Sequence, residues 1–278
     1  MTKKISRMTI FLLFFVLIFS GLPAADFVKD KVAQKTLDHA VTIVVYYYMD
    51  EVQYNQVLMR LSAGHKPFLV NPIGRDEYGR YVMAYIGSGG VIPRNHVLTA
   101  SHLFDDYIYY SDMEIWVYRR TSRAKITKYS AEILYKTSLA TNDWNDYAVL
   151  KVDVDMKLPG LKLAKKAPKI NDKIIWCGSL AGFMAVLRTD YLALMKNYLI
   201  RQGDGSVKVC SWKEYDLYCF SPGAPGDSGT PVLNKKGEIV SVLCWGIAAS
   251  DYHVYLLGNP LSQLKEFLGS NHLEGLFK

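Results

Sequence analysis

From residue 80 to residue 257 the chain is a succession of short runs of Val, Ile, Tyr and Trp, separated by Gly, Pro, Asn and Asp. Runs this short and this rich in β-branched and aromatic residues suit strands, and the separators suit turns. A first set is predicted at Val41–Tyr48, Tyr81–Ile92, Val97–Ser101, Met113–Tyr118, Lys125–Leu134 and Tyr147–Val152. A second covers Lys173–Cys177, Met184–Leu187, Leu192–Ile200, Val207–Cys210, Leu217–Phe220, Val232–Leu233, Ile239–Trp245 and Val254–Leu257. Between them Asp155–Pro168, with Pro159, Gly160 and several lysines, reads as a linker. Two sets of about six strands around a linker predict an all-β fold of two antiparallel barrels.

Three segments break this rhythm. Phe27–Asp38 suits a short leading helix. In Asp50–Leu61 the residues Tyr54, Val57, Leu58 and Leu61 repeat at helical spacing, with Asp50 as N-cap. Pro260–Leu268 predicts a final helix capped by Asn259, and Pro67–Gly79 reads as loop. The expected organisation is a leader over 1–25, a first barrel with a helical insertion over 26–155, a linker over 156–168, and a second barrel with its helix over 169–278.

The leader assignment rests on a basic start (Lys3, Lys4, Arg7), an apolar run from Met8 to Ser20, and small residues at Ala24 and Ala25. That run is short of the about 20 apolar residues a spanning helix needs. Cleavage and a secreted or periplasmic protein are therefore expected, with an uncleaved N-terminal membrane anchor as the alternative. Removing the leader lowers the formal charge from +7 to +4, scattered among acids. No clustered basic face for nucleic acid is visible. Four cysteines remain, Cys177, Cys210, Cys219 and Cys244, with no CxxC or HExxH pattern, so no metal is expected. An exported chain can oxidise them, in any of three full pairings. Cys210 and Cys219, facing each other across a hairpin, are the candidate disulfide, with two free thiols as the other possibility. Cys177 and Cys244 are expected free and buried.

The segment with most chemistry is Gly226-Asp227-Ser228-Gly229-Thr230-Pro231. A serine hydroxyl is a weak nucleophile that needs a base beside it. It also needs donors for the oxyanion it creates, which the N–H groups of Gly226 and Ser228 can provide from a tight turn. A base is available in Leu98-Thr99-Ala100-Ser101-His102, at a strand end. Asp146-Tyr147-Ala148-Val149-Leu150 puts an acid at the mouth of another strand. Such an acid can orient the imidazole and stabilise its cation. Each motif alone has an ordinary structural explanation. Together, in the order His102, Asp146, Ser228, they predict a catalytic triad. That order differs from the arrangement in which a Gly-x-Ser-x-Gly nucleophile comes first.

With these motifs and Gly87-Ser88-Gly89, Pro231-Val232-Leu233-Asn234, Lys236 to Val240 and Cys244-Trp245-Gly246, residues 40–270 resemble the trypsin-like serine peptidases. The resemblance is strongest to the bacterial glutamyl-endopeptidase-like and HtrA-like branch, although no room remains for a PDZ domain after the last helix. It implies a chymotrypsin-like fold, two six-stranded barrels with the triad in the cleft between them, and Asp227 helping to shape the oxyanion turn. The chain departs from the family at Ser101, usually Ala, and at Thr230, usually Gly or Ser. Cys244 stands where trypsins carry Ser and the glutamyl peptidases carry a substrate-reading His.

The resemblance implies a secreted serine endopeptidase without cofactor, a monomer acting on protein or peptide substrates. Pro222 falls at the base of the pocket that reads the side chain before the cut. Pro222, Gly223, Ala224, Cys244, Trp245 and Gly246 then line a site for a small or medium apolar side chain. His253 near the pocket wall is the alternative donor for an acidic one. A protease-fold binding or adhesion protein and an esterase are the rival functions.

Overall fold

β1 (Ala40–Met49) pairs along one edge with β3 (Tyr81–Ile92) and along the other with β5 (Asp112–Ser122). Its alternate side chains Ile43, Val45, Tyr47 and Met49 are fully buried, as period-two alternation around a closed core requires. The structure, a computed structural model, describes residues 30–62, 70–104, 110–122, 125–137, 145–179, 186–195, 197–201, 207–211, 217–220, 226–250 and 253–277. The remaining strands of the first half are β2 (Val70–Arg75), β4 (His96–Thr99), β6 (Lys125–Lys136) and β7 (Ala148–Val152). The order β1-β5-β6-β7-β4-β3 returns to β1, so six antiparallel strands close a barrel.

β2 lies on the outer edge of β3, within the segment the sequence marks as loop. Its register shifts between Pro72 and Gly74. A proline lacks the ladder donor and is tolerated on an edge strand at such a bulge, which is why residue types alone mislead here.

The second half contains β8 (Lys162–Leu163), β9 (Lys173–Gly178), β10 (Val186–Tyr191), β11 (Ala193–Met195), β12 (Asn197–Arg201), β13 (Val207–Ser211), β14 (Leu217–Phe220), β15 (Pro231–Asn234), β16 (Glu238–Ser250) and β17 (His253–Asn259). The main sheet runs β10-β9-β15-β16-β17-β14-β11, with β8 alongside β16 in parallel. Leu192–Ile200, expected as one strand, is divided. β11 joins β14 in the main sheet, whereas β12 pairs with β13 in a separate ribbon. The expected hairpin between Cys210 and Cys219 is likewise not formed. Cys210 sits in β13 opposite Tyr198 of β12, and Cys219 sits in β14 between β11 and β17. Cys177 and Cys244 are free and buried, as expected.

Three α-helices complete the described chain. α1 (Lys31–His39) is capped by Asp30, whose carboxylate accepts from the Val32 and Ala33 N–H groups. α2 (Glu51–Ser62) begins in a reciprocal box, the Gln53 N–H donating to Asp50 and the Asp50 N–H to Gln53. It stacks Tyr54 on Tyr81 and buries Val57 in the barrel core. α3 (Leu261–Ser270) has Pro260 at its N-cap, without a side-chain bond. Asn259, the expected cap, ends β17 as a fully buried residue. Among the described residues no helix is long and apolar enough to cross a membrane.

The halves share a core. Ile92, Leu98, Tyr147 and Val149 of the first pack with Ile175, Leu233, Val242 and Cys244 of the second, under Leu264, Phe267 and Leu268 of α3. Full burial of each large apolar side chain contributes about 1.5–3 kcal/mol. This seam fixes the two halves, and hence the loops at their junction, relative to one another.

α1 is tied to both halves. Lys35 Nζ donates to the Gly237 carbonyl at 2.8 Å, and Arg119 Nε donates to the Asp38 carbonyl at 3.0 Å. At its end, His39 is buried with Nδ1 2.8 Å from the Lys35 carbonyl oxygen. A carbonyl only accepts, so Nδ1 holds the proton. Nε2 is buried without a partner among the described residues. Burial pushes the His39 pKa down. Unfolded, this imidazole titrates near pH ~6.5. The stability it contributes is thus complete above that pH and lost as pH falls through the lower folded value. Urea midpoints should therefore fall between about pH 7.5 and about pH 5. His39→Gln should flatten that fall, leaving the part due to His96, whose pKa burial also lowers. Parallel pH profiles for parent and variant would contradict this reading.

Candidate active site

β4 and β7 are antiparallel neighbours, with Thr99 opposite Ala148. His102 lies three residues beyond Thr99, and Asp146 lies two before Ala148. The register therefore delivers both side chains to the same end of the pair. The His102 N–H donates to Asp146 Oδ1 at 2.8 Å, and His102 Nδ1 lies 2.5 Å from Asp146 Oδ2. The carboxylate is wholly buried, and the imidazole is 16% exposed. A buried carboxylate is tolerable when its oxygens are bonded, and here one residue occupies both. The same bond fixes the proton on Nδ1 and leaves Nε2 as the acceptor.

Local bonds hold these arms in place. The Thr137 carbonyl accepts from Ser101 Oγ at 2.5 Å, and the Thr137 N–H donates to the Tyr147 carbonyl at 2.9 Å. Tyr47 Oη and Lys136 Nζ donate to the Leu103 and Phe104 carbonyls, fixing the 3-10 turn Ser101–Phe104 that carries His102. Tyr85 presents to the imidazole edge-on, with centroids 6.3 Å apart. Cys244, expected in the substrate pocket, is 2% exposed, and its Sγ donates to the Asp146 and Val242 carbonyls at 3.3 and 3.2 Å. It supports the back of Asp146 and does not face an open site.

Ser228 is half-buried in the turn Gly226–Thr230 that leads into β15. The Ser88 N–H donates to the Ser228 carbonyl at 2.7 Å, and Ser88 Oγ donates to the Gly226 carbonyl at 2.6 Å. The Gly229 N–H donates to Leu243 at 2.6 Å, and the Thr230 N–H closes the turn onto Asp227 at 3.0 Å. Gly229 has φ 87°, and a Cβ there would collide with Thr99 Oγ1, the Ser88 carbonyl and the Ala100 nitrogen. The turn is thus packed on the strand end that leads to His102, as closely as only glycine allows.

The family profile described as "Trypsin-like peptidase domain" matches residues 87–242, more than half of the chain. The chain belongs to the trypsin-like peptidase family. As a serine peptidase it is a hydrolase, and the matched stretch contains all three motifs read from the sequence. The active form of the Rv3671c protease from M. tuberculosis is a structural relative with TM-score 0.53 and 17% identity, over 90% of this chain and 87% of that one. Its inactive form gives TM-score 0.51 and 16% identity, over 90% and 97%. These likenesses show the fold. No curated protein sequence matches the chain.

Pro222 and Gly223 lie outside the described residues. Trp245 and Gly246 lie in β16 opposite Leu257 and Leu256, and His253 opens β17 opposite Ser250. No three His, Cys, Asp or Glu side chains converge as a metal set among the described residues. Two supports of the peptidase site escaped the sequence reading. Ser88 was visible only as part of a glycine-rich strand, and the bond from Cys244 to Asp146 spans two sheets.

Burial pushes the Cys177 thiol up to about 12 and the Cys244 thiol well above its ordinary value. Because the thiolate is the reactive form, iodoacetamide at about pH 8 should leave both unmodified in the native protein and alkylate both after denaturation. Native alkylation of Cys244, read by peptide mass mapping, would contradict its placement behind Asp146.

Proposed function

We propose that this peptidase is an exported endopeptidase that cuts peptide bonds through His102, Asp146 and Ser228. The observation that carries the reading is the buried Asp146 carboxylate, which receives both the backbone N–H and the imidazole of His102. The packing of the Ser228 turn against Thr99 and Ala100 supports it. His102 Nε2 takes the proton of Ser228 Oγ as the oxygen attacks the substrate carbonyl carbon. The Gly226 and Ser228 N–H groups donate to the developing oxyanion. His102 then gives its proton to the departing amine, leaving an acyl-serine. Water enters, transfers a proton to His102 and attacks the acyl carbon. Ser228 recovers its proton as the acid departs. Asp146 holds the Nδ1–H tautomer and stabilises the imidazolium. All three groups come from one chain, so a monomer suffices.

The leader over residues 1–25 supports export, with cleavage near Ala24 or Ala25. A pocket for a small or medium apolar side chain is proposed around Pro222, Gly223, Trp245 and Gly246, with His253 on its wall. No Asp or Glu lies between Asp216 and Asp227, so a buried Lys or Arg would have no countercharge there.

Ser228→Ala and Asp146→Asn should each lower kcat/KM on a peptide substrate by about 10⁴-fold with the fold intact. Retained turnover in Ser228→Ala would overturn the triad. A peptide-library digest should give cuts after apolar residues. Cuts dominated by Lys or Arg would refute the pocket, and cuts after Glu that vanish in His253→Ala would replace it with an acid-reading one. Absence of any hydrolysis by the intact protein would favour a binding protein.

A further inference from the structure

The second sheet has two ends of different character. β9 and β15 are antiparallel, with Trp176 opposite Val232 and Ile174 opposite Asn234, and Lys173 of β9 lies opposite Tyr191 of β10. The start of β9 therefore sits beside the last residues of β10 and β15. β16 begins at the same end with Glu238, and Lys162 of β8 lies alongside it. The other end holds Gly178, Val186 and Pro231, which follows the Ser228 turn. The four residues of β15, about 13 Å of extended chain, separate that turn from the turn 234–237.

Six lysines collect at the first end. Lys235 and Lys236 occupy the turn 234–237, and Lys162 and Lys173 the neighbouring strands. Lys169 lies in the turn before β9, and Lys35 of α1 reaches the Gly237 carbonyl. All but Lys35 are exposed, and among the described residues none of the six forms an ion pair. The acids among them are engaged locally. Glu238 accepts from the Asn234 amide, and Asp172 and Asp190 accept neighbouring backbone N–H groups. Along the chain these lysines are scattered among acids, and only the strand register gathers them. Two apolar side chains project beside them, Ile170 at 58% exposure and Tyr191 at 62%. They are neighbours, because the Asn171 N–H donates to the Leu192 carbonyl and the Leu192 N–H to the Asp172 carbonyl.

We infer that this end of the second sheet docks on an anionic phospholipid bilayer, with the lysines at the headgroups and Ile170 and Tyr191 entering the interface. Lysines held at a membrane surface add attraction roughly in proportion to their number. Charge alone would suit any polyanion, but the two exposed apolar side chains suit a bilayer, which offers an apolar layer beneath the charge. A tyrosine fits that boundary, its ring in the apolar layer and its hydroxyl in water. The leader favours the same partner. α1 follows residues 1–25 in the chain, and its Lys35 lies at this end. A chain crossing a membrane with its leader still attached therefore presents this end to the bilayer. Attachment of this kind is peripheral and needs no spanning helix. The Ser228 turn, at the far end of β15, then faces away from the lipid. The inference takes its setting from the export reading and is independent of the triad.

Vesicle co-sedimentation of the exported form, without residues 1–25, tests this. Vesicles of about 30 mol% phosphatidylglycerol in phosphatidylcholine should carry the protein down at about 0.1 M salt, and pure phosphatidylcholine vesicles should not. Raising the salt to about 0.5 M should release most of it. Lys235→Ser/Lys236→Ser should weaken binding about 20–30-fold, and Ile170→Ser/Tyr191→Ser about tenfold. All four side chains are exposed, so both variants should keep the parent's unfolding midpoint. Absence of binding to the anionic vesicles, equal binding to both kinds, or parent-like affinity in Lys235→Ser/Lys236→Ser would overturn the inference. So would full-strength binding by Ile170→Ser/Tyr191→Ser that heparin displaces, which would make the surface a site for soluble polyanions. Failure of the export reading is distinguishable, since it would appear as a cellular protein that keeps residues 1–25, whatever the vesicles show.

Discussion

The Ser228 turn belongs to the second half of the chain, but its reference point is Ser88 in the first barrel. That buried residue uses every polar atom it has. Its N–H and hydroxyl donate to the Ser228 and Gly226 carbonyls, its hydroxyl accepts from the Ser179 N–H, and its carbonyl accepts from Thr99 Oγ1. Thr99 ends the strand that leads to His102. One serine therefore connects the strand that presents the imidazole to the turn that presents the hydroxyl. Buried polar groups bonded this fully specify one arrangement, because any alternative strands several of them at once.

The shared apolar seam makes this arrangement possible. Leu98 and Val149 flank the positions of His102 and Asp146, and they pack on Val242 and Cys244 of β16. The thiol of Cys244 then reaches the carbonyl of Asp146. The second half thus supports the acid from behind while the first half supports the Ser228 turn. Neither half holds a complete site by itself, and displacement of one half against the other would expose both apolar surface and unsatisfied backbone groups.

Much of this was legible in the sequence, for local reasons. The apolar runs Val97–Thr99 and Ala148–Leu150 place a histidine and an aspartate at strand ends, and the glycines around Ser228 mark a turn. What was not legible depends on pairing across the sheet. β2 was hidden by Pro72 and Gly74, residues that mean loop unless an edge strand bulges there. The break between β11 and β12 follows from their different partners and not from any breaker residue. Cys244 was placed in the pocket because position along the chain says nothing about which side of β16 its thiol takes. The ion pair of Arg188 with Asp227 drew no attention, because only the fold brings the two together.

On the proposed reading Ser228 is a nucleophile made reactive by this constellation, and active-site labelling tests that most directly. A fluorophosphonate should add once to the native protein, and peptide mass mapping should find the adduct on Ser228. Denatured protein should not react. An unlabelled native protein, or an adduct on another serine, would contradict the account.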